Sequence, residues 1–219
     1  MILALVPAYN EEKRIAAVVA DLLIHVDEVV VINDNSHDNK KQYAQEAVAL
    51  VLSHNVNRGQ GAALETGHVY ARNRGAEYVI HFDGDGQFSA ADILPALKHL
   101  QKHDADVLLG SRFLDKRTNM PWFKRKILHP LARKVENFLR GLKLSDVHNG
   151  FRILNKKAFH TIAITHDGMA HASEIPRLVA KYKLKHVEFA VQVTYHEYGQ
   201  SSLGSIKIVR DLLFGNFIK

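Results

Sequence analysis

The chain reads as short apolar runs separated by longer amphipathic stretches. Residues 2–6 are apolar throughout, as in a strand buried on both faces. Residues 11–24 place Ile15, Val18, Val19, Leu22 and Leu23 at helical spacing. A second buried strand is predicted over 29–32, a helix over 38–47 and a third strand over 49–52. A helix over 60–74 follows a glycine-rich turn, and a fourth strand spans 78–82. Ser89 is placed to cap a helix running to about Lys102, and 106–109 predicts a fifth strand. Strands alternating with helices imply right-handed crossovers and a mainly parallel sheet.

Beyond Arg112 the alternation breaks. A basic helical stretch is predicted over 122–142, a strand over 151–154 and a helix over 171–183. A strand over 187–195 and an apolar-rich helix over 203–217 follow. No repeat or linker divides the chain, so a single α/β domain is expected over 1–219.

Composition narrows the class. Hydrophobic content of 47% and charged content of 24% suit a soluble globular domain. The absence of cysteine excludes disulfides, thiolate zinc sites and cysteine nucleophiles. The apolar start stops at Pro7 with no basic region before it, so no signal peptide is expected. No apolar run approaches the ~20 residues of a membrane span, and the expected location is cytoplasmic.

The net charge of +6 is unevenly placed. Between Arg112 and Lys143 stand ten basic and two acidic residues, a local +8, which leaves the rest of the chain 2 units negative. Phe113, Trp122, Phe123 and Phe138 are interspersed there. Such a segment suits an anionic membrane surface, at ~1 kcal/mol per cation. It equally suits nucleic-acid phosphate or a solvated amphipathic helix.

Ligands of open parallel sheets bind outside the carboxyl ends of the strands. The polar clusters of this chain fall there. They are Tyr9-Asn10-Glu11-Glu12, Asn33-Asp34-Asn35-Ser36, Asn57-Arg58-Gly59-Gln60-Gly61, Asp83-Gly84-Asp85-Gly86-Gln87 and Gly110-Ser111-Arg112. Asp83 and Asp85 repel unless a cation sits between them, and a divalent metal bound to phosphate answers that need. A calcium-hand loop starting at Asp83 fails, since Phe88 and Leu94 occupy the positions that need Gly and Glu. His99 and His103 are spaced i, i+4 without a third ligand, as surface histidines on a helix. Tyr9 is placed to stack on a base. Asp34 is placed either to cap the next helix or to accept a hydrogen bond from a base. Arg112 is placed either to pair with a structural acid or, beside a metal-phosphate site, to neutralise phosphate.

In order, these clusters resemble the family 2 glycosyltransferases with a GT-A fold, most of all the dolichyl- and polyprenyl-phosphate sugar transferases. Asp146-Val147-His148-Asn149-Gly150-Phe151-Arg152, Glu174-Ile175 and Tyr198-Gly199-Gln200-Ser201 extend the likeness over nearly the whole chain. The resemblance implies a nucleotide-diphosphate sugar donor. Pro7, Tyr9, Glu11, Ile32 and Asp34 would hold its nucleoside, with Gly61 also on the donor side. Asp83 and Gly84 would sit near the ribose and phosphates. Asp83, Asp85 and Gln87 would hold Mg²⁺ or Mn²⁺, and Arg112 would meet phosphate.

The resemblance also implies an inverting displacement, with Asp85 and Arg112 in the catalytic set. A lipid-phosphate acceptor needs no base. A glycan hydroxyl needs one, and Glu174 and Asp146 are the candidates. The implied partners are the donor, a polyprenyl-phosphate or glycan acceptor and a membrane surface, without nucleic acid. The nucleotide half would be 1–112, and 113–219 the acceptor half, peripheral at the cytoplasmic membrane face. His196 and Ser202 stand where the dolichyl-phosphate enzymes carry Arg and Lys, and Asn33 where the usual acidic pair begins. A non-catalytic binder of membrane or nucleic acid is the rival class. A nucleotidyltransferase would need a glycine-rich, basic loop after the first strand.

Overall fold

A computed structural model describes residues 1–9, 12–36, 49–115 and 142–194. The helices expected over 38–47 and 203–217 lie outside these residues, as does the basic stretch over 122–142 save Leu142. In chain order the elements are β1 (Ile2–Ala8), α1 (Glu12–Leu23), β2 (Glu28–Asn33), β3 (Leu50–Ser53), α2 (Gln60–Arg74) and β4 (Tyr78–His81). There follow α3 (Ile93–Lys102), β5 (Val107–Ser111), β6 (Arg152–Asn155), α4 (Lys156–Thr161), α5 (His171–Lys181) and β7 (His186–Ala190).

Two local details depart from expectation. Ser89 precedes a 3-10 turn over Ala90–Asp92 and makes no side-chain cap, so α3 begins only at Ile93. Helix α4 was not expected. Asn155 starts it, its side chain accepting a hydrogen bond from the Ala158 N–H at 2.9 Å.

The strands form one sheet in the order β3-β2-β1-β4-β6-β5-β7. Every pairing is parallel except those of β6, which runs antiparallel between β4 and β5. The strand near 151–154 was expected; its insertion was not. The chain leaves β5 at the carboxyl end and re-enters the sheet from that end, so β6 must run against its neighbours.

Both faces of the sheet are covered, which is why β1 is apolar without alternation. Ala4 and Val6 face a core layer with Ile15, Val19 and Leu22 of α1 and Ile93, Ala96 and Leu100 of α3. Leu3 and Leu5 face the opposite layer with Ala63 and Leu64 of α2, Phe159 of α4, and Ile175 and Val179 of α5. The chain departs from β1 toward β2 and β3, then crosses back to β4 on β1's other side. The crevice beyond Tyr9, Asp34 and Asp83 is therefore a topological switch point.

Candidate functional site

Asp83 stands two residues beyond β4 and is partly open to solvent yet set deep among protein atoms. Burial and the charge of Asp85 push its carboxyl up to about 6, against the pull of Arg152 and Arg112. Gln60, the first residue of α2, reaches across to it, its side-chain N–H donating to Oδ1 at 2.8 Å. Asp85 closes a tight turn by accepting the Gln87 N–H on Oδ1 at 2.9 Å. Its own carbonyl accepts from Arg14 at 3.2 Å.

The oxygens of Asp83, Asp85 and Gln87 are hard donors. They suit Mg²⁺ or Mn²⁺, which keep further positions for phosphate and water. Among the described residues no group of three His, Asp or Glu converges on one point. The chain thus offers a partial ligand set, of the kind a diphosphate would complete. The charge frustration of Asp83 beside Asp85 is an observation that fits such a cation.

At the end of β2, Asp34 is 3% exposed, and the helix it was expected to cap lies outside the described residues. Asp34 clamps the turn before α2. Oδ1 accepts from the His54 ring at 2.8 Å and from the Arg58 N–H at 2.8 Å, and Oδ2 accepts from the Gly59 N–H at 2.6 Å. Tyr9, at the end of β1, is 46% exposed. Ile32, expected against a nucleoside, is wholly buried in the core, and Pro7, paired with it across the ladder, is buried too. Their side chains are a floor, not a contact surface. Glu11 lies outside the described residues.

Gly61 is also reassigned. A Cβ there would stand 2.0 Å from the His166 carbonyl, and one on Gly59 2.6 Å from the Asp167 carbonyl. Gly59 adopts φ +96°, where a side chain would be strained. The Ala62 N–H donates to the Asp167 carbonyl at 3.1 Å. The start of α2 is therefore covered by the 166–168 loop instead of open to a ligand.

Glu174 holds the same loop from the other side. It is buried and accepts from the Thr165 N–H, the Thr165 hydroxyl and the His166 N–H. Burial opposes its charge, but these hydrogen bonds outweigh it and hold the carboxyl below its usual value. Asp146 is likewise engaged, pairing with Arg112 through both oxygens and accepting from the Asn149 side chain at 3.2 Å. The two carboxylates expected as bases are thus structural clamps.

Arg152, named only within a motif, is the residue whose position sequence reasoning missed. It is 1% exposed in β6, directly opposite His81, with its Nη2 unpartnered. Asp83 and Asp146 are the anions that favour its charge, while burial pulls it down to about 10. Beside it lie the buried His68 and His81, their Nε2 atoms 2.8 Å apart. Arg152 and His81 at the ends of otherwise apolar strands were the available signal.

Residues 4–163 match the family model described as Glycosyl transferase family 2. The chain is 32% identical over 205 residues to an uncharacterized protein of Methanocaldococcus jannaschii, covering 91% of this chain and 84% of that one. It is 28% identical over 229 residues to a UDP-N-acetylglucosamine–dolichyl-phosphate N-acetylglucosaminyltransferase of Methanococcus voltae, covering 92% and 88%. Among solved structures it resembles glucosyl-3-phosphoglycerate synthase from Mycobacterium tuberculosis in complex with Mn²⁺, UDP and glucosyl-3-phosphoglycerate. The TM-score is 0.69 at 17% identity, over 98% of this chain and 79% of that one, a likeness of fold.

Proposed function

The chain belongs to glycosyl transferase family 2 and is a glycosyltransferase of GT-A fold, and on that premise we propose that it moves a sugar from a nucleotide-diphosphate sugar to a polyprenyl phosphate, inverting the anomeric centre. The nucleoside lies at Tyr9 and Asp34, above the floor of Pro7 and Ile32, with Glu11 as a further contact. The diphosphate lies over Asp83, Gly84 and Asp85. Asp83, Asp85 and Gln87 hold Mg²⁺ or Mn²⁺, a role supported by the Mn²⁺ and UDP bound to the mycobacterial synthase. When bound, the cation supplies Lewis-acid stabilisation of charge on the departing nucleoside diphosphate. Arg112, held in orientation by Asp146, faces phosphate.

The observation that carries the choice of acceptor is the state of Asp146 and Glu174. Both carboxylates are taken up by the protein's own donors. A sugar hydroxyl needs a base to take its proton, whereas a lipid phosphate arrives with an anionic oxygen. The dolichyl-phosphate relative supports the same choice. No helix among the described residues is long and apolar enough to cross a membrane. We assign contact with the cytoplasmic membrane face to the acceptor half, 113–219, through its basic segment with Trp122 and Phe123.

The test is transfer from labelled UDP- and GDP-sugars to detergent-solubilised polyprenyl phosphate or to a soluble glycan, with Mn²⁺ or with chelator. Product on the lipid phosphate alone, lost with chelator, is expected. Product on the glycan alone would overturn the choice of acceptor.

A further inference from the structure

His54 is the first residue beyond β3. Its N–H extends the ladder onto the Asn33 carbonyl at 2.9 Å, which sets the ring between two elements. Nδ1 lies 2.8 Å from Asp34 Oδ1, and Nε2 lies 2.9 Å from Thr66 Oγ1 on α2. The side chain is 9% exposed. Burial opposes charge on Asp34, but the hydrogen bonds from Arg58, His54 and Gly59 outweigh it and keep the group a carboxylate. A carboxylate only accepts, so His54 Nδ1 carries the hydrogen and donates it. Nε2 then meets the Thr66 hydroxyl, which stops the ring from turning.

A carboxylate offers about four acceptor positions. The chain itself fills two on Oδ1 and one on Oδ2. The Arg58 and Gly59 donors are backbone groups of the turn that leads into α2; His54 alone of the three is a side chain, carried by the end of β3 and braced on Thr66 within α2.

We propose that His54, braced by Thr66, is a positioning residue for the donor: it fixes Asp34 so that the remaining acceptor position on Oδ2 is presented to a ring N–H of the nucleobase. This rests on the nucleoside lying at Asp34, as proposed above. The geometry also says which replacement should work. Asn places an amide nitrogen near Nδ1 and can still donate to Asp34. Leu keeps the bulk and donates nothing.

The experiment is calorimetric titration of UDP, GDP and dTDP with Mn²⁺ into the full chain. Wild type, His54→Asn, His54→Leu and Thr66→Val are compared, each with its melting temperature. The nucleotide that binds wild type should bind His54→Asn within about threefold and His54→Leu at least about tenfold more weakly, as expected for a hydrogen bond to a charged group. Thr66→Val should fall between. In turnover the loss should appear in the donor KM with kcat held. Unchanged affinity in His54→Leu, or equal losses in Asn and Leu variants, overturns the inference while leaving the donor reading intact. A wild-type chain that binds none of the three overturns the donor reading, and this inference with it.

Discussion

Arg112 and Asp146 meet as a two-pronged ion pair, with Nε 2.6 Å from Oδ2 and Nη2 2.7 Å from Oδ1. The Arg112 N–H adds a third contact to Oδ2 at 3.1 Å. Asp146 is buried and Arg112 is 17% exposed, so the pair ties the end of β5 to the loop before β6 and leaves the cation's flank at the crevice. Only a planar fork satisfies both carboxylate oxygens. Arg112→Lys should therefore lower turnover at least tenfold, and Asp146→Asn should lower it comparably while costing about 2 kcal/mol of stability. Steady-state transfer and urea unfolding measure the two effects.

Asp83 gives a prediction with a definite sign. Its folded pKa, about 6, lies above the ordinary 3.8. The folded state then holds the proton more tightly than the unfolded one, so stability falls as pH rises from about 4 to 6 and stays reduced above that. Asp83→Asn removes the penalty. Without metal it should melt higher than wild type at pH 8, by at most about 3 kcal/mol and less for solvent screening. The two should converge toward pH 4.5. The variant should also lose any gain in melting temperature from Mn²⁺ plus nucleotide. A wild type that is the more stable at pH 8 without metal contradicts this.

Gly150 tests position separately from charge. A Cβ there would stand 2.2 Å from Asp83 Oδ2, far inside contact distance. Gly150→Ala must push the carboxylate aside. Mn²⁺-dependent nucleotide binding should weaken more than tenfold with the circular dichroism spectrum retained. Titration calorimetry decides it.

Glu174→Gln separates a clamp from a base. A base lost by substitution costs about 10² to 10⁴ in kcat. A clamp costs stability instead, about 1–3 kcal/mol for a buried charged hydrogen-bond acceptor. The latter is expected, with kcat within tenfold of wild type. Because the Glu174 pKa is depressed in the fold, its contribution is present above 4.5 and is lost as pH falls through the folded value. The stability gap between wild type and variant should therefore narrow in acid, as denaturation at pH 7 and pH 4 would record.

The polar strand ends were legible because a strand buried on both faces can carry polar groups only where it stops. Tyr9, Asp34, Asp83 and Arg112 stand at such ends. What those groups hold was not legible. The His54 ring meets Asp34 from 20 residues away, and Gln60 meets Asp83 from 23. Gly59 and Gly61 read as a plain turn, yet their reason is the backbone of a loop more than 100 residues later.

By itself the sequence determined the alternation of strands and helices through Arg112, save the helix over 38–47 outside the described residues, and the edge of the sheet where a site could form. Apolar periodicity predicts which faces are buried, because hydrophobicity is a property each residue carries locally. Tertiary structure alone decided that β6 runs antiparallel between β4 and β5, bringing Arg152 opposite His81 and within electrostatic reach of Asp83. It alone committed Asp146 and Glu174 to clamping. A buried charge must find a partner, and which partner it finds depends on where distant segments return to the sheet, which no local pattern encodes.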